Sequence, residues 1–350
     1  MLLSPDMRVR PDLREALRYG QRHLSSSKRL SQMSYAAHGK EVAEILQEVV
    51  SSPSLLRVAL LHDILQSPRG EILLDQAPLN ADEVLLIRSW HTHFSSRSHK
   101  NNFDWPASYH LSVDPRLHLL LAAHLLADIR HLHRFPLKGR KWMCIHVLRE
   151  AAPALWSLHL PSWVSELEDR SFLELQPDVA GKLRAQYEAI QRGEERYLHS
   201  TVSSVRRLLE EQGITHVLTF RRKSLYSLYR KMHYTGKSFE EITDRIGIRI
   251  VTTDVDTCYR ILHTLQRHFP SFWGEYRDYL RMPKVTGYRS IHALLLGSSD
   301  GKYPLEIQIC TEDLHWQNEY GQTRHSLYKW MRYFGTAWNP LQSGAVRSAF

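Results

Sequence analysis

Asp244-Arg245-Ile246-Gly247-Ile248-Arg249-Ile250 sets an isoleucine at every second position, with Gly or Arg between. Strict alternation is the signature of a strand with one buried face. Leu305-Glu306-Ile307-Gln308-Ile309-Cys310 repeats the pattern. The apolar run Ile291 to Leu296 leads into the turn residues Ser298-Ser299-Asp300-Gly301, which predicts a hairpin. Thr257 to His268 reads as a helix between the strands, so this half is mixed α and β.

Toward the N-terminus the texture changes. Val42, Ile45, Leu46 and Val49 recur at helical spacing, as do Leu117, Leu120, Leu121 and Leu125 behind Asp114-Pro115. Leu55 to Leu61 is an apolar run read as a buried helix, and Gln66-Ser67-Pro68-Arg69-Gly70 as a loop. The chain is therefore read as α+β. A helical domain is expected over 1–195 and a mixed α/β domain over 196–350. The boundary is placed in the charged stretch Gln191-Arg192-Gly193-Glu194-Glu195.

The 350 residues are 43% apolar and 24% charged, which excludes a disordered or collagen-like chain. Three cysteines without CxxC spacing exclude a disulfide scaffold and argue against zinc fingers. No apolar run reaches the roughly 18 residues of a membrane helix. Met1 to Asp6 do not open a signal peptide, so a cytoplasmic location without membrane partners is expected. Residues 201–350 hold 21 Lys and Arg against 14 Asp and Glu, a net of +7 of the chain's +9. Such a domain attracts phosphates.

Arg221-Arg222-Lys223-Ser224-Leu225-Tyr226-Ser227-Leu228-Tyr229-Arg230-Lys231-Met232 carries that charge. Read as one helix, it sets Leu225, Leu228 and Met232 on one face and Lys223, Ser227 and Lys231 on another. Two ammonium groups and a hydroxyl in line, with Arg221 near the start, suit a polyphosphate. Asp244 at the mouth of one strand and Glu306 on the polar face of another supply two carboxylates. Mg²⁺ takes few protein carboxylates and fills its remaining positions with phosphate and water. In the loop from Tyr279 to His292, Lys284 can bind a phosphate and Tyr288 can stack on a base.

The order RxKxxxSxxxK, D, PKxxGYxSxH, ExQIxT and EYG, over about residues 200–335, resembles the synthetase domain of the RelA/SpoT homologues. The resemblance implies a nucleotidyltransferase-like fold and transfer of pyrophosphate from ATP to the 3′-hydroxyl of GTP or GDP, giving the alarmone (p)ppGpp. It implies that Arg221, Lys223, Ser227 and Lys231 hold ATP and that Asp244 binds catalytic Mg²⁺. Glu306 either helps the metal or activates the hydroxyl. Tyr288 stacks on guanine, and Lys284, His292 and Gln308 contact the acceptor. Several positions depart from the family pattern: Asp256-Thr257, Glu275 to Asp278, Thr286, Cys310 and Thr323 to Ser326. The phosphate machinery is therefore expected intact and the base contacts altered.

In the first half, His38, His62-Asp63 and Asp128 fall on separate predicted helices, the arrangement of an HD-type divalent-metal site. Long members of the same family carry such a Mn²⁺ hydrolase domain, and the order here is similar over about residues 10–180. Those hydrolases read HDxxED. Gln66 and Ser67 stand at the acidic pair, and Leu132 where an Asn follows the later Asp. Neither Gln nor Ser acts as a base at neutral pH. The expected domain keeps its metal ligands and has lost hydrolysis. The TGS and ACT modules of the long enzymes do not follow before Phe350, so control is expected from the N-terminal domain, self-association or transcription.

Three other readings stay open. The acceptor could be an adenine nucleotide or the 3′ end of tRNA, as in toxin-like relatives. The domain could sense alarmone without turnover. The hydrolase could work with unusual residues.

Overall fold

A computed structural model describes residues 11–95, 114–158, 160–269, 276–285, 287–296 and 303–320. Met1 to Asp6, Glu275, Thr286, the turn 298–301, Gly321 and Thr323 to Ser326 lie outside the described residues. The chain divides into two compact units, Met1–Leu175 and Gln176–Phe350.

The described part of the first unit is helical. Its elements are α1 (Pro11–Leu24), α2 (Tyr35–Gln47), α3 (Pro53–Leu61), α4 (Gly70–Asp75), α5 (Ala81–Trp90), α6 (Pro115–Arg130), α7 (Leu137–His146), α8 (Ala152–Leu155) and α9 (Pro161–Leu175). The starts are written in the sequence. The Ser34 hydroxyl accepts from the Ala37 amide. Ser52 precedes Pro53 at the first turn of α3. Asn80 and Glu83 form a reciprocal capping box on α5, and Asp114 caps α6. Leu55, Leu56 and Leu60 are buried as expected, and Val49 lies past the end of α2 and is exposed. Gly39 decides how closely α2 and α3 approach. A Cβ there would stand 2.4 Å from the Leu60 carbonyl oxygen, so only glycine permits this contact.

His146 ends α7 buried, its ring stacked on Trp142 at 5.3 Å. Burial pushes its pKa down to about 4 from 6.5. The unfolded chain takes a proton near pH 6.5 and the folded chain resists it. The stabilisation from this group is thus complete above about pH 6.5 and falls away toward pH 4, by roughly 2 kcal/mol at pH 5. His146→Gln should flatten this acid limb. Urea midpoints at pH 7 and pH 5 check it, and an unchanged pH 7 to 5 difference in the variant would contradict it.

The second unit opens with α10 (Pro177–Glu211), 35 residues long. This helix runs straight through the boundary expected at 195/196, and the units part at Leu175/Gln176 instead. The charged stretch 191–195 is helix rather than linker because its charges are used. Glu194 is fully buried and binds two arginines, and Gly193 makes room for the Tyr303 ring. Next come β1 (His216–Arg222), α11 (Leu225–Thr235), β2 (Ile246–Thr252), α12 (Val255–His268), β3 (Arg277–Asp278), β4 (Ile291–Leu296), β5 (Pro304–Thr311) and α13 (Glu312–Tyr320). The sheet order is β1-β2-β5-β4-β3, with β2 and β5 parallel and the other pairs antiparallel. Both alternating runs and Ile291 to Leu296 are strands, as read.

Ile246, Ile248, Ile250, Leu305, Ile307, Ile309, Ile291, Ala293 and Leu295 share one core with residues of α10 and α12. Period two sends the intervening residues to the other face. Register then builds two rows across that face. One is Arg221–Gly247–Glu306–Leu294, and the other is Thr219–Arg249–Gln308–His292–Arg277. Among the described residues, no helix is long and apolar enough to cross a membrane.

Candidate functional sites

The polar face of the sheet gathers most of the expected residues. Asp244 sits two residues before β2, and Lys223 follows β1, its amide donating to the Arg245 carbonyl at 2.8 Å. The helix begins at Leu225 with Ser224 as its cap. Arg221 and Lys223 are therefore not on it, which corrects the single-helix reading. The cause is Arg245, whose carbonyl extends the β1 ladder by one residue. Convergence survives: Lys223 Nζ and Lys231 Nζ lie 2.8 and 2.6 Å from Asp244 Oδ2. Ser227 lies on the first turn of α11, where its amide meets the Ser224 hydroxyl.

Burial opposes ionisation of Asp244, but the charges of Lys223 and Lys231 outweigh it and hold the carboxyl well below the usual range. Burial also lowers Lys223, against the pull of Asp244. The other oxygen, Oδ1, is buried without a protein partner. A charged oxygen left so is costly unless a ligand completes it. It fits a divalent cation.

Glu306 accepts from Gln308 Nε2 at 2.8 Å, and its other oxygen lies 3.0 Å from His292 Nδ1. Burial works against its charge, yet the His292 contact prevails and its pKa falls to about 2. Glycine at 247, in the row beside Glu306, leaves that part of the face without a side chain. The Tyr288 hydroxyl lies 2.9 Å from His292 Nε2 and 3.1 Å from Ser290 Oγ. Lys284 Nζ stands 4.5 and 4.9 Å from the ring centres of Tyr279 and Tyr288. Arg249 reads in the sequence only as a polar strand position. It shares the row of Gln308 and His292 and lies 3.4 Å from His315 Nδ1 on α13. Its parity with Gly247 was the signal.

Two arginines support this face. Glu194 takes Arg245 Nε at 2.7 Å and Arg222 Nη2 at 2.7 Å. Arg245 also donates to the carbonyls of Ile242 and Phe239 at 2.6 and 3.2 Å, fixing the segment that presents Asp244.

The first unit brings its expected residues together on α2, the end of α3 and α6, with one change. The atoms of His38, His62, Asp63 and His124 all lie within 4.8 Å of one another. Asp128 stands behind them, its oxygens 3.7 Å from His38 Nδ1 and 3.3 Å from His124 Nε2. Asp128, the expected fourth ligand, stays at the edge of this cluster, and α6 also turns His124, one turn earlier, inward. Arg29 joins the cluster, bonded to both oxygens of Asp128 and 3.4 Å from Asp63. Burial and then the Arg29 charge hold His38 well below the usual imidazole range, and burial pushes His62 down to about 4. Leu132 is buried, while Gln66 and Ser67 flank the turn after Asp63.

Residues 220–332 match the sequence model of the region found in RelA / SpoT proteins. A probable chloroplastic GTP diphosphokinase of Oryza sativa subsp. japonica is 29% identical over 314 residues, covering 84% of this chain and 43% of that protein. A probable guanosine-3′,5′-bis(diphosphate) 3′-pyrophosphohydrolase of Synechocystis sp. is 30% identical over 321 residues, covering 87% and 41%. The solved structure of Bacillus subtilis small alarmone synthetase 1 bound to its product pppGpp is 25% identical. It covers 38% of this chain and 77% of that one, at a TM-score of 0.33. The chain spans less than half the length of these curated relatives. The matched region and the relatives together make this chain a member of the RelA/SpoT family.

Proposed function

We propose that this chain transfers the β,γ-pyrophosphoryl group of ATP to the 3′-hydroxyl of GTP or GDP. The buried, unpartnered Oδ1 of Asp244, at the strand end near Glu306, carries the reading. In the reaction the 3′-oxygen bonds to the β-phosphorus, the bond from that phosphorus to the bridging oxygen of AMP breaks, and the hydroxyl proton is released. Mg²⁺ held by Asp244 and Glu306 would offset charge on the phosphate oxygens. Lys223 and Lys231 already meet at one carboxylate oxygen and supply cationic donors to the triphosphate, with Arg221 and Ser227 beside them. Tyr288, tied to His292 and close to Lys284, offers a ring to the acceptor base, while Gln308 and His292 orient Glu306. Such a site works by positioning and charge complementarity.

The N-terminal unit is read as an HD-like domain that has lost hydrolysis, since Gln66 and Ser67 give its cluster no base at neutral pH. Its role in this reading is regulatory. Release of pyrophosphate from ppGpp by the Mn²⁺-treated protein would refute that part.

The whole protein is incubated with γ-labelled ATP and Mg²⁺ and, in separate tubes, GTP, GDP, no acceptor and tRNA. Label on the guanine nucleotides alone is expected. Label on an adenine nucleotide or on tRNA would overturn the acceptor, and no label in any tube would overturn the enzyme.

A further inference from the structure

The basic motif is divided between a strand and a helix. Arg221 ends β1 with Arg222, Lys223 follows, and Ser227 and Lys231 lie on α11, with Ser224 between as the helix cap. Inside a single helix the spacing of two lysines is fixed by the helix itself. Here it depends on how the chain turns at Lys223-Ser224. The Lys223 amide donates to the Arg245 carbonyl at 2.8 Å, and the Ser224 hydroxyl accepts from the Ser227 amide at 3.3 Å. A third bond comes from α10. The Tyr187 hydroxyl donates to the Lys223 carbonyl at 3.1 Å.

Tyr187 is itself braced. The Arg222 guanidinium stands 4.9 Å from its ring centre, and the Phe239 ring meets it edge-on at 6.5 Å. Arg222 reaches back to α10, to Glu194 at 2.7 Å and Glu195 at 3.1 Å. Glu194 lies two turns after Tyr187, on the same side of that helix. Its other oxygen takes Arg245, whose guanidinium stands 5.1 Å from the Phe239 ring centre. α10 thus grips Arg222 and Arg245, the chain neighbours of Lys223 and Asp244, and places a hydroxyl at the turn itself. That hydroxyl meets the backbone of Lys223 rather than its ammonium, so it acts through position.

We propose that Tyr187 is a positioning residue for the transfer, on the reading of Lys223 and Lys231 as triphosphate ligands. Its hydroxyl sets the turn between β1 and α11, and with it the point where the two ammonium groups converge. One such bond adds little to folding, whereas a small displacement of a ligand is felt throughout substrate binding and transfer. The acceptor residues Tyr288, His292 and Gln308 are carried by β4, β5 and the loop before β4, so the effect should fall on ATP.

The test is steady-state transfer by the full chain carrying Tyr187→Phe, with ATP and GTP varied separately. KM for ATP should rise about 10-fold, less than the roughly 10²-fold that a full 1 Å misplacement costs. KM for GTP should stay within about twofold. Equilibrium binding of a nonhydrolysable ATP analogue with Mg²⁺ should weaken by the same factor and needs no turnover. A double-variant cycle separates positioning from packing. Lys223→Met removes the ammonium and keeps the carbonyl, so adding Tyr187→Phe to it should weaken the analogue by about threefold or less. An unchanged KM for ATP, equal rises in both KM values, or the whole loss repeated in the Lys223→Met background would each overturn the proposal. Wild-type protein that transfers nothing would instead count against the proposed function, and the analogue affinities would then decide the role of Tyr187.

Discussion

Asp244→Asn is expected to lower pyrophosphate transfer by at least about 10³-fold, near 4 kcal/mol of transition-state stabilisation. The substitution keeps shape and removes charge. It strips two ammonium groups of their shared partner and replaces the oxygen that has none with a neutral amide or carbonyl. Both lysines retain some solvent access, so the fold should tolerate the change. An unaltered unfolding midpoint would show that the loss is chemical. Initial rates at saturating ATP and GTP measure it, and a variant within tenfold of wild type would remove Asp244 from the site.

The second large effect is on stability. Glu194→Ala leaves the Arg245 guanidinium buried at 3% exposure without its carboxylate, and takes one from Arg222 as well. Breaking a buried pair by deleting one partner costs about 3–5 kcal/mol, because the remaining charge is uncompensated. That is a large share of the roughly 5–15 kcal/mol that holds a domain folded. Amide hydrogen exchange along β1, β2 and β5 should accelerate by a few hundredfold or more, while α2, α3 and α6 stay protected to the extent that the units open separately. Exchange rates in the sheet equal to those of wild type would show that the two arginines find other partners. Glu194→Gln should fall between the two, since it keeps an acceptor and loses the charge.

The elements that the sequence makes plain are those with short-range causes. Alternating isoleucines fix β2, the Leu305 to Cys310 run fixes β5, and Asp114-Pro115 starts α6, because each signal and its structure occupy the same few residues. Glu194 is the opposite case. In the chain it sits among charges and beside a glycine, and reads as linker. Its burial depends on Arg222 and Arg245, far along the sequence, and Gly193 serves a tyrosine packed from β5's approach rather than a helix break. Lys223 meets Lys231 at Asp244 through a local structure that its spacing does not predict, since the helix starts two residues later. His124 was legible in position, one turn before Asp128, but sits in a run of leucines and alanines that reads as core. Only the meeting of α2, α3 and α6 shows that its ring faces two others.

Gly39 bears on which sequences can share this architecture. Backbone meets backbone there, with no side chain between α2 and the last turn of α3. Such a contact is a fixed gauge, whereas the groups it spaces are interchangeable parts. A chain can replace His124 with an aliphatic residue and alter the chemistry of the pocket while its walls stay put. It cannot lengthen residue 39 by one carbon without separating His38 from His62. In this unit a hydrogen atom, rather than any charged group, sets what every later exchange of ligands must fit.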